Sequence, residues 1–342
     1  MVNPERILII RTDKLGDVVL STPVIENLRK AFPKAHIGFI CRPYTADVLR
    51  GNPYLDEVIV YDKYGKQHSF LSSLKFALKI RKKRFDWVIL LHPTNRVHLM
   101  AFLAGIPFRA GWDKKMGFFL TKKVPHTKQE GKKHERDYTL DLLREIGVPV
   151  KSLKLFVPKQ HGAEIWADNF FRERELNNRK IIALGIGASC LSRIWPAERY
   201  VELGRRLSRE TGAKILLLGV KEERKLIAPF LKEIDASFVN LIGGCAIPQL
   251  VSLFRRINLL IANDSGLSHL CSASGTQVLT LFGRNQPGIS PNRWHTLGER
   301  DRFIHKDVGC SVCLAHNCEK GFKCLKAISV DEVFNSAVNM LK

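Results

Sequence analysis

Residues 261–270 read IANDSGLSHL, and the rest of the chain is best understood outward from them. The apolar residues Ile257, Leu259, Leu260 and Ile261 run into Asn-Asp-Ser-Gly, and a helical pattern carrying His269, Leu270 and Ala273 follows. That order is strand, tight turn, helix. A helix starting at such a turn aims unpaired N–H groups and the positive end of its dipole beyond the strand's carboxyl end. Asp264, Ser265 and His269 add polar side chains at the same mouth, which suits a phosphate-bearing ligand. Asp and Ser are also ordinary helix caps, and capping alone accounts for both.

Two alternations of strand and helix surround this stretch. In the first, a buried strand over 6–10 enters a loop at Arg11–Gly16, and a helix follows with Val18, Val19, Ile25 and Leu28 inward. Asp17 opens that helix, either as its cap or as a carboxylate kept ionised by the dipole and able to take a proton from a hydroxyl. Strands over 37–41, 57–61 and 87–91, an irregular stretch over 62–73, and helices over 74–80 and 133–146 complete the first half. The second half has strands over 180–184, 215–218 and 278–282, and helices through Tyr200, Leu203 and Leu207, over 222–234 and over 248–255. Short connections in this order predict an α/β chain with two doubly wound parallel sheets in tandem. Pro149, Pro158, a helix over 163–172 and the polar run 174–178 place the domains at 1–160 and 180–342, with a linker region at 161–179.

The glycines reject a Rossmann dehydrogenase. GIGASC has Gly185 and Gly187 but Cys190 where GxGxxG needs its third glycine, and no Walker-A lysine pattern is present. What remains is a backbone turn, Gly187-Ala188-Ser189, suited to one phosphate, with Arg193 close by and Pro196 placed for a first helical turn.

Composition bounds the partners. Of 342 residues, 55 are Lys or Arg and 33 Asp or Glu, a formal net charge of +22, which favours a polyanionic partner. No apolar run approaches the roughly 18 residues of a membrane span, and the N-terminus enters a strand without a signal-peptide core, so a cytoplasmic location is expected. Cys41, Cys190, Cys245 and Cys271 are scattered singly, unlike a secreted disulfide framework. Cys310-x2-Cys313-x4-Cys318-x5-Cys324, with His305 and His316 nearby, has the spacing of a zinc site, and free or redox-active thiols fit it as well.

RTDKLGDVVLSTP at 11–23, GAS followed by Arg193-Ile194-Trp195-Pro196, and NDSGLSHL followed by LTLFG stand in an order that resembles the ADP-heptose:lipopolysaccharide heptosyltransferases of glycosyltransferase family nine. The resemblance spans nearly the whole chain. It implies the GT-B architecture, two Rossmann-like domains facing a cleft, with the acceptor on the N-terminal domain and the donor nucleotide on the C-terminal one. It also implies an inverting transfer of heptose from ADP-heptose to the Kdo or heptose of a lipid A core, with no metal and no cofactor. Asp17 is then the base, and Arg193, where many relatives have Lys, is the cation near the leaving phosphate. Ser265, Gly266 and Leu267 seat the diphosphate, with Gly187, Ala188 and Ser189 as further donors. Asp264 reaches sugar hydroxyls, and His269 touches the ligand or braces the turn. Arg11, Lys63 and Lys66 are the expected acceptor contacts.

The positive charge, with Lys63, Lys66, His68, Lys75 and the cluster at 81–84, fits an anionic inner-leaflet surface and a peripheral inner-membrane location. Two alternatives remain: a same-fold transferase using another nucleotide sugar, and a basic nucleic-acid-binding protein with a four-cysteine zinc module. The second requires aromatic residues interleaved with basic ones on a platform, whereas here they fall mostly within apolar strands and helices, so no nucleic-acid partner is expected. The oligomeric state stays open.

Overall fold

The computed structural model describes residues 3–342, which divide into two compact units. One runs to Gln129 and resumes over Lys133–Pro158, and the other comprises Glu130–Lys132 and Lys159–Lys342.

In the first unit, six short segments form a parallel sheet: β1 (Arg6–Ile10), β2 (His36–Cys41), β3 (Glu57–Val60), β4 (Trp87–Leu90), β5 (Phe108–Asp113) and β6 (Lys122–Pro125). Their order is β3-β2-β1-β4-β5-β6. The second unit repeats the winding with β7 (Ile181–Gly185), β8 (Lys214–Leu218), β9 (Phe238–Asn240), β10 (Leu259–Asn263), β11 (Val278–Phe282) and β12 (Arg302–His305), ordered β12-β11-β10-β7-β8-β9. Every residue of β4, β7, β10 and β11 is buried, as parallel strands covered by helices on both faces must be. The helix Ala197–Thr211, for example, sets Tyr200, Leu203 and Leu207 against Leu184 and Leu217 of the sheet. Each fully buried Leu contributes about 1.5–3 kcal/mol.

This winding reverses direction between β1 and β4 in one sheet and between β7 and β10 in the other. Loops leaving the carboxyl ends of those four strands therefore open crevices where ligands bind in such sheets. Asp17 follows β1, and the IANDSGLSHL turn follows β10.

The structure amends several expectations. The helix after Gly16 is two, Leu15–Leu20 and Thr22–Ala31. Ser21 and Thr22 turn their hydroxyls back to the carbonyls of Asp17 and Val19, and Pro23 has no N–H to continue the ladder. The helix expected over 74–80 starts earlier, at Phe70, where Ser69 accepts from the Ser72 N–H as its cap. The helix expected over 222–234 is broken by Pro229 into the α-turn Arg224–Ile227 and the tighter Ala228–Glu233. The helix expected over 163–172, within the linker region, is found as His161–Glu173, and it belongs to the second unit. Its Glu164 accepts from Ser252 Oγ at 2.6 Å and pairs with Arg256, because the helix has an apolar face to bury as well as polar ends to satisfy. No helix among the described residues is long and apolar enough to cross a membrane.

Candidate active site

β1 runs out into Arg11-Thr12-Asp13-Lys14, and the helix Leu15–Leu20 begins at once with Lys14 as its N-cap. Asp17 is thus the third helical residue rather than the cap, with Oδ2 accepting the Lys14 N–H at 3.3 Å. Beside it lies Arg11, only 2% exposed. Its Nε donates to Asp13 (3.0 Å), Nη1 to Ser21 Oγ (3.0 Å) and Thr139 Oγ1 (3.2 Å), and Nη2 to Asp17 (2.7 Å) and Glu135 (2.9 Å). A guanidinium has five N–H groups, and all are used. Arg11, expected to hold the acceptor, instead holds Asp17 in place.

Lys128 donates to Glu135 at 2.7 Å and lies 4.9 Å from the Trp112 ring centre. Two buried cations therefore face three carboxylates, Asp13, Asp17 and Glu135. His92, after β4, does not correct the imbalance: burial, then Arg11, pushes its pKa down to about 4, leaving it neutral 4.0 Å from Asp13. The surplus negative charge falls on Asp17. Burial, then Asp13, pushes its carboxyl up to about 6 against the opposing pull of Arg11. The dipole does not keep it strongly acidic, as the sequence suggested. A carboxyl shifted this way can take a proton near neutral pH, and its side chain is 15% exposed.

Glu135 belongs to no motif and escaped the sequence reading, and Lys128, in a basic run that reads as a solvated or acceptor-facing surface, is buried instead. A signal was nonetheless present, since Glu135 lies one turn before Thr139 and two before Leu142 on the buried face of the helix Glu135–Glu145. A carboxylate there needs a buried cation.

Lys63 and Lys66 sit in the turn between β3 and the helix Phe70–Arg81, on the same carboxyl edge of the sheet as Asp17. Lys63 lies 5.2 Å from the Tyr64 ring centre and close enough to His92 to lower its pKa, while Lys66 is exposed. Arg96 holds this turn by donating to the carbonyls of Lys63 and Gln67, both at 3.2 Å.

In the second unit, Asn263 at the end of β10 laces two loops together. Its Oδ1 accepts the Trp195 N–H at 2.9 Å, and its Nδ2 donates to the carbonyls of Ile186 (3.0 Å) and Gly187 (3.3 Å). The Gly187-Ala188-Ser189 turn is thereby tied to the NDSG turn. A Cβ at Gly187 would lie 1.8 Å from the Glu223 carboxyl carbon, so any larger residue there would displace that side chain. Burial raises the pKa of that carboxyl, although it accepts the Val220 N–H at 2.8 Å.

Ser265 is the N-cap of the helix Gly266–Ala273, yet its side chain makes no cap hydrogen bond, so capping does not account for it. Ser265, Gly266 and Leu267 are half-buried at the carboxyl edge, whereas His269 is buried with its ring 6.3 Å from that of Trp294. Asp264 departs from the expected contact with sugar hydroxyls. It is 3% exposed, its Oδ2 accepts from Arg284 Nη2 at 2.7 Å and lies 3.6 Å from Arg193 Nε, and its carbonyl accepts from Arg193 Nη1 at 3.2 Å. The carboxylate spaces two guanidiniums instead.

Arg284 was missed. It follows LTLFG at the carboxyl end of β11, beside Asp264, whose N–H donates to the Leu281 carbonyl. Burial, then Arg193, lowers its pKa, and its Nε and Nη1 have no protein hydrogen-bond partner. Two guanidiniums against one carboxylate, beside a helix N-terminus and a glycine turn, make an anion seat.

Cys310, Cys313, Cys318 and Cys324 line a cavity of about 100 Å³ together with Gly283 and Arg284. All eight cysteines are free thiols, and among the described residues no three His, Cys, Asp or Glu side chains are grouped to hold a metal ion. Cys324 donates to the Gly283 carbonyl, Cys313 accepts the Asn285 N–H at 3.5 Å, and His316 pairs with Ser192 Oγ at 3.1 Å.

Comparison with known proteins finds that the profile of glycosyltransferase family 9 (heptosyltransferase) matches residues 73–323. The glycosyl transferase family 9 structure from Veillonella parvula DSM 2008 is similar with a TM-score of 0.90 and 27% identity, over 98% of this chain and 97% of that one. Lipopolysaccharide heptosyltransferase 2 of Escherichia coli (strain K12) is 25% identical over 302 residues, 85% of this chain and 86% of that protein. The structure of E. coli ADP-heptose LPS heptosyltransferase II shares the fold with a TM-score of 0.79 at 23% identity, over 98% of each chain.

Proposed function

The chain belongs to glycosyltransferase family 9, the heptosyltransferases, with the two parallel sheets of the GT-B fold, and from that premise we propose that it transfers heptose from ADP-heptose to the Kdo or heptose of a lipopolysaccharide inner core. The observation that carries the mechanism is the Asp17 carboxyl, held by Arg11 and pushed up to about 6. In this reading the first unit takes the acceptor and the second the donor.

Asp17 accepts the proton of the acceptor hydroxyl as its oxygen attacks the anomeric carbon, and the bond to the ADP oxygen breaks on the opposite side. The configuration therefore inverts. Charge growing on the departing diphosphate meets Arg193, the first N–H groups of the helix Gly266–Ala273 and the Gly187-Ala188-Ser189 turn, which stand where a metal would otherwise be needed. The enzyme works from the cytoplasm at the inner membrane, where its acceptor is anchored. A transfer assay comparing ADP-heptose with other nucleotide sugars on a Kdo-bearing acceptor tests the assignment. Equal or better turnover with another sugar would overturn it.

Arg193→Ala is expected to lower turnover about 10²–10³-fold, the range seen on removing one preorganised donor to a developing anion. Calorimetry with ADP should show weaker binding in the same variant. Arg193→Lys restores part of both, because the charge returns without the planar fork.

A further inference from the structure

The helix Phe70–Arg81 buries Phe76, Ala77 and Ile80 against the first sheet. At about 100° per residue, Leu71, Leu74 and Leu78 form a stripe on its outer side, with Lys75 and Lys79 along one flank and Arg81 along the other. The stripe is uncovered: Leu71 is 68% and Leu78 46% exposed. It does not stand alone. The neighbouring helix Asn95–Leu103 carries the exposed Phe102, whose ring stacks 4.4 Å from that of Phe119, and Phe118 beside it is 64% exposed. A groove of about 230 Å³ runs between the two helices, lined by Phe70, Leu74, Leu99, Leu103 and Met116.

Charge selects the occupant. Between Lys63 and Trp112 the chain has ten Lys or Arg residues and one acidic residue, Asp86, which is turned inward onto the N–H groups of Glu5 and Arg6. An apolar stripe flanked by lysines is the pattern of an interfacial helix, whose apolar side enters the boundary of headgroups and acyl chains while its cations meet lipid phosphates. We propose that this face docks the protein on an anionic lipid bilayer, with Leu71, Leu78, Phe102 and Phe118 entering the interface and Lys75, Lys79, Arg81 and Lys82 meeting the headgroups. The inference rests on the transferase reading only for its purpose, which is to bring the Asp17 edge of the sheet to an acceptor anchored in a membrane.

The test is flotation of the full-length chain, without donor or acceptor, on vesicles of phosphatidylglycerol with phosphatidylethanolamine and on vesicles of phosphatidylcholine. Binding to the anionic vesicles is expected, falling steeply with salt, and at least tenfold weaker in the double variant L71S/L78S and in K75E/K79E. Transfer to a soluble, deacylated acceptor fragment should be unchanged in L71S/L78S, while transfer to vesicle-embedded acceptor falls. Wild-type flotation equal to that of L71S/L78S would overturn the proposal. So would analytical ultracentrifugation showing that L71S/L78S splits a dimer while vesicle binding stays the same. Vesicle binding as expected, with no heptose transfer to either acceptor, would instead overturn the transferase reading and leave the docking surface standing.

Discussion

Asp17→Asn is expected to lower turnover about 10²–10⁴-fold while ADP still binds, because a side chain of the same shape that cannot accept the proton loses general-base catalysis. The pH dependence should be equally diagnostic. With the folded pKa at about 6, the wild-type rate rises as pH passes through 6 and levels off above it, and the Asn variant loses that rise. Stability moves the other way. The folded state raises this carboxyl from 3.8 to about 6, so the proton-bound form contributes stability below about pH 4, and that contribution is lost as pH rises through 6. Ionised Asp17 therefore costs stability at neutral pH. Asp17→Asn should unfold in urea no earlier than wild type at pH 7.5, with its advantage shrinking by pH 5. Near-normal turnover in Asp17→Asn, or a flat wild-type profile between pH 5 and 7, would remove Asp17 from the role of base.

Arg11→Met should produce the largest loss of stability. It removes one of two cations from a buried cluster of three carboxylates, and breaking a buried pair typically costs about 3–5 kcal/mol. The same change removes the attraction that holds down the Asp17 pKa, so the residual activity should rise with pH at a more alkaline midpoint than in wild type. Arg11→Lys keeps the charge with fewer donors and should lie between the two. Urea melts and a pH–rate profile separate this positioning role from a purely structural one, which would lower stability and leave the midpoint unmoved. A melt of Arg11→Met matching wild type would rule out the hub.

Local periodicity carried the fold a long way. Buried strands such as β1, β4, β7 and β10 are uninterrupted apolar runs, and short connections dictate parallel winding. The helix Asn95–Leu103 and strands β5 and β6 were passed over because Arg96, Arg109, Lys122 and Lys123 interrupt their apolar patterns, and β6, at the sheet's edge, needs little burial. Pro229 inside an expected helix was legible, and its weight was underestimated.

The site divides differently. Asp17, Arg193 and the turn at 265–267 sit inside recognisable motifs. Arg11 was noticed and given the wrong task, since the five acceptors that consume its donors come from positions as far away as Glu135 and Thr139. Arg284 and Asn263 act through contacts that only the pairing of β10 with β7 and β11 creates. No local spacing encodes those contacts.

The bond from Arg11 to Glu135 spans 124 residues of chain. At ribosomal speeds of about 5–20 residues per second, Glu135 is made roughly 6–25 s after Arg11. For that interval Arg11 lacks a partner that the finished structure supplies, so the ion pair beside Asp17 cannot form until the helix Glu135–Glu145 has left the exit tunnel. The order of synthesis thus makes the completion of the charge cluster around Asp17 a late event, reached only after all six strands of its own sheet are already in hand.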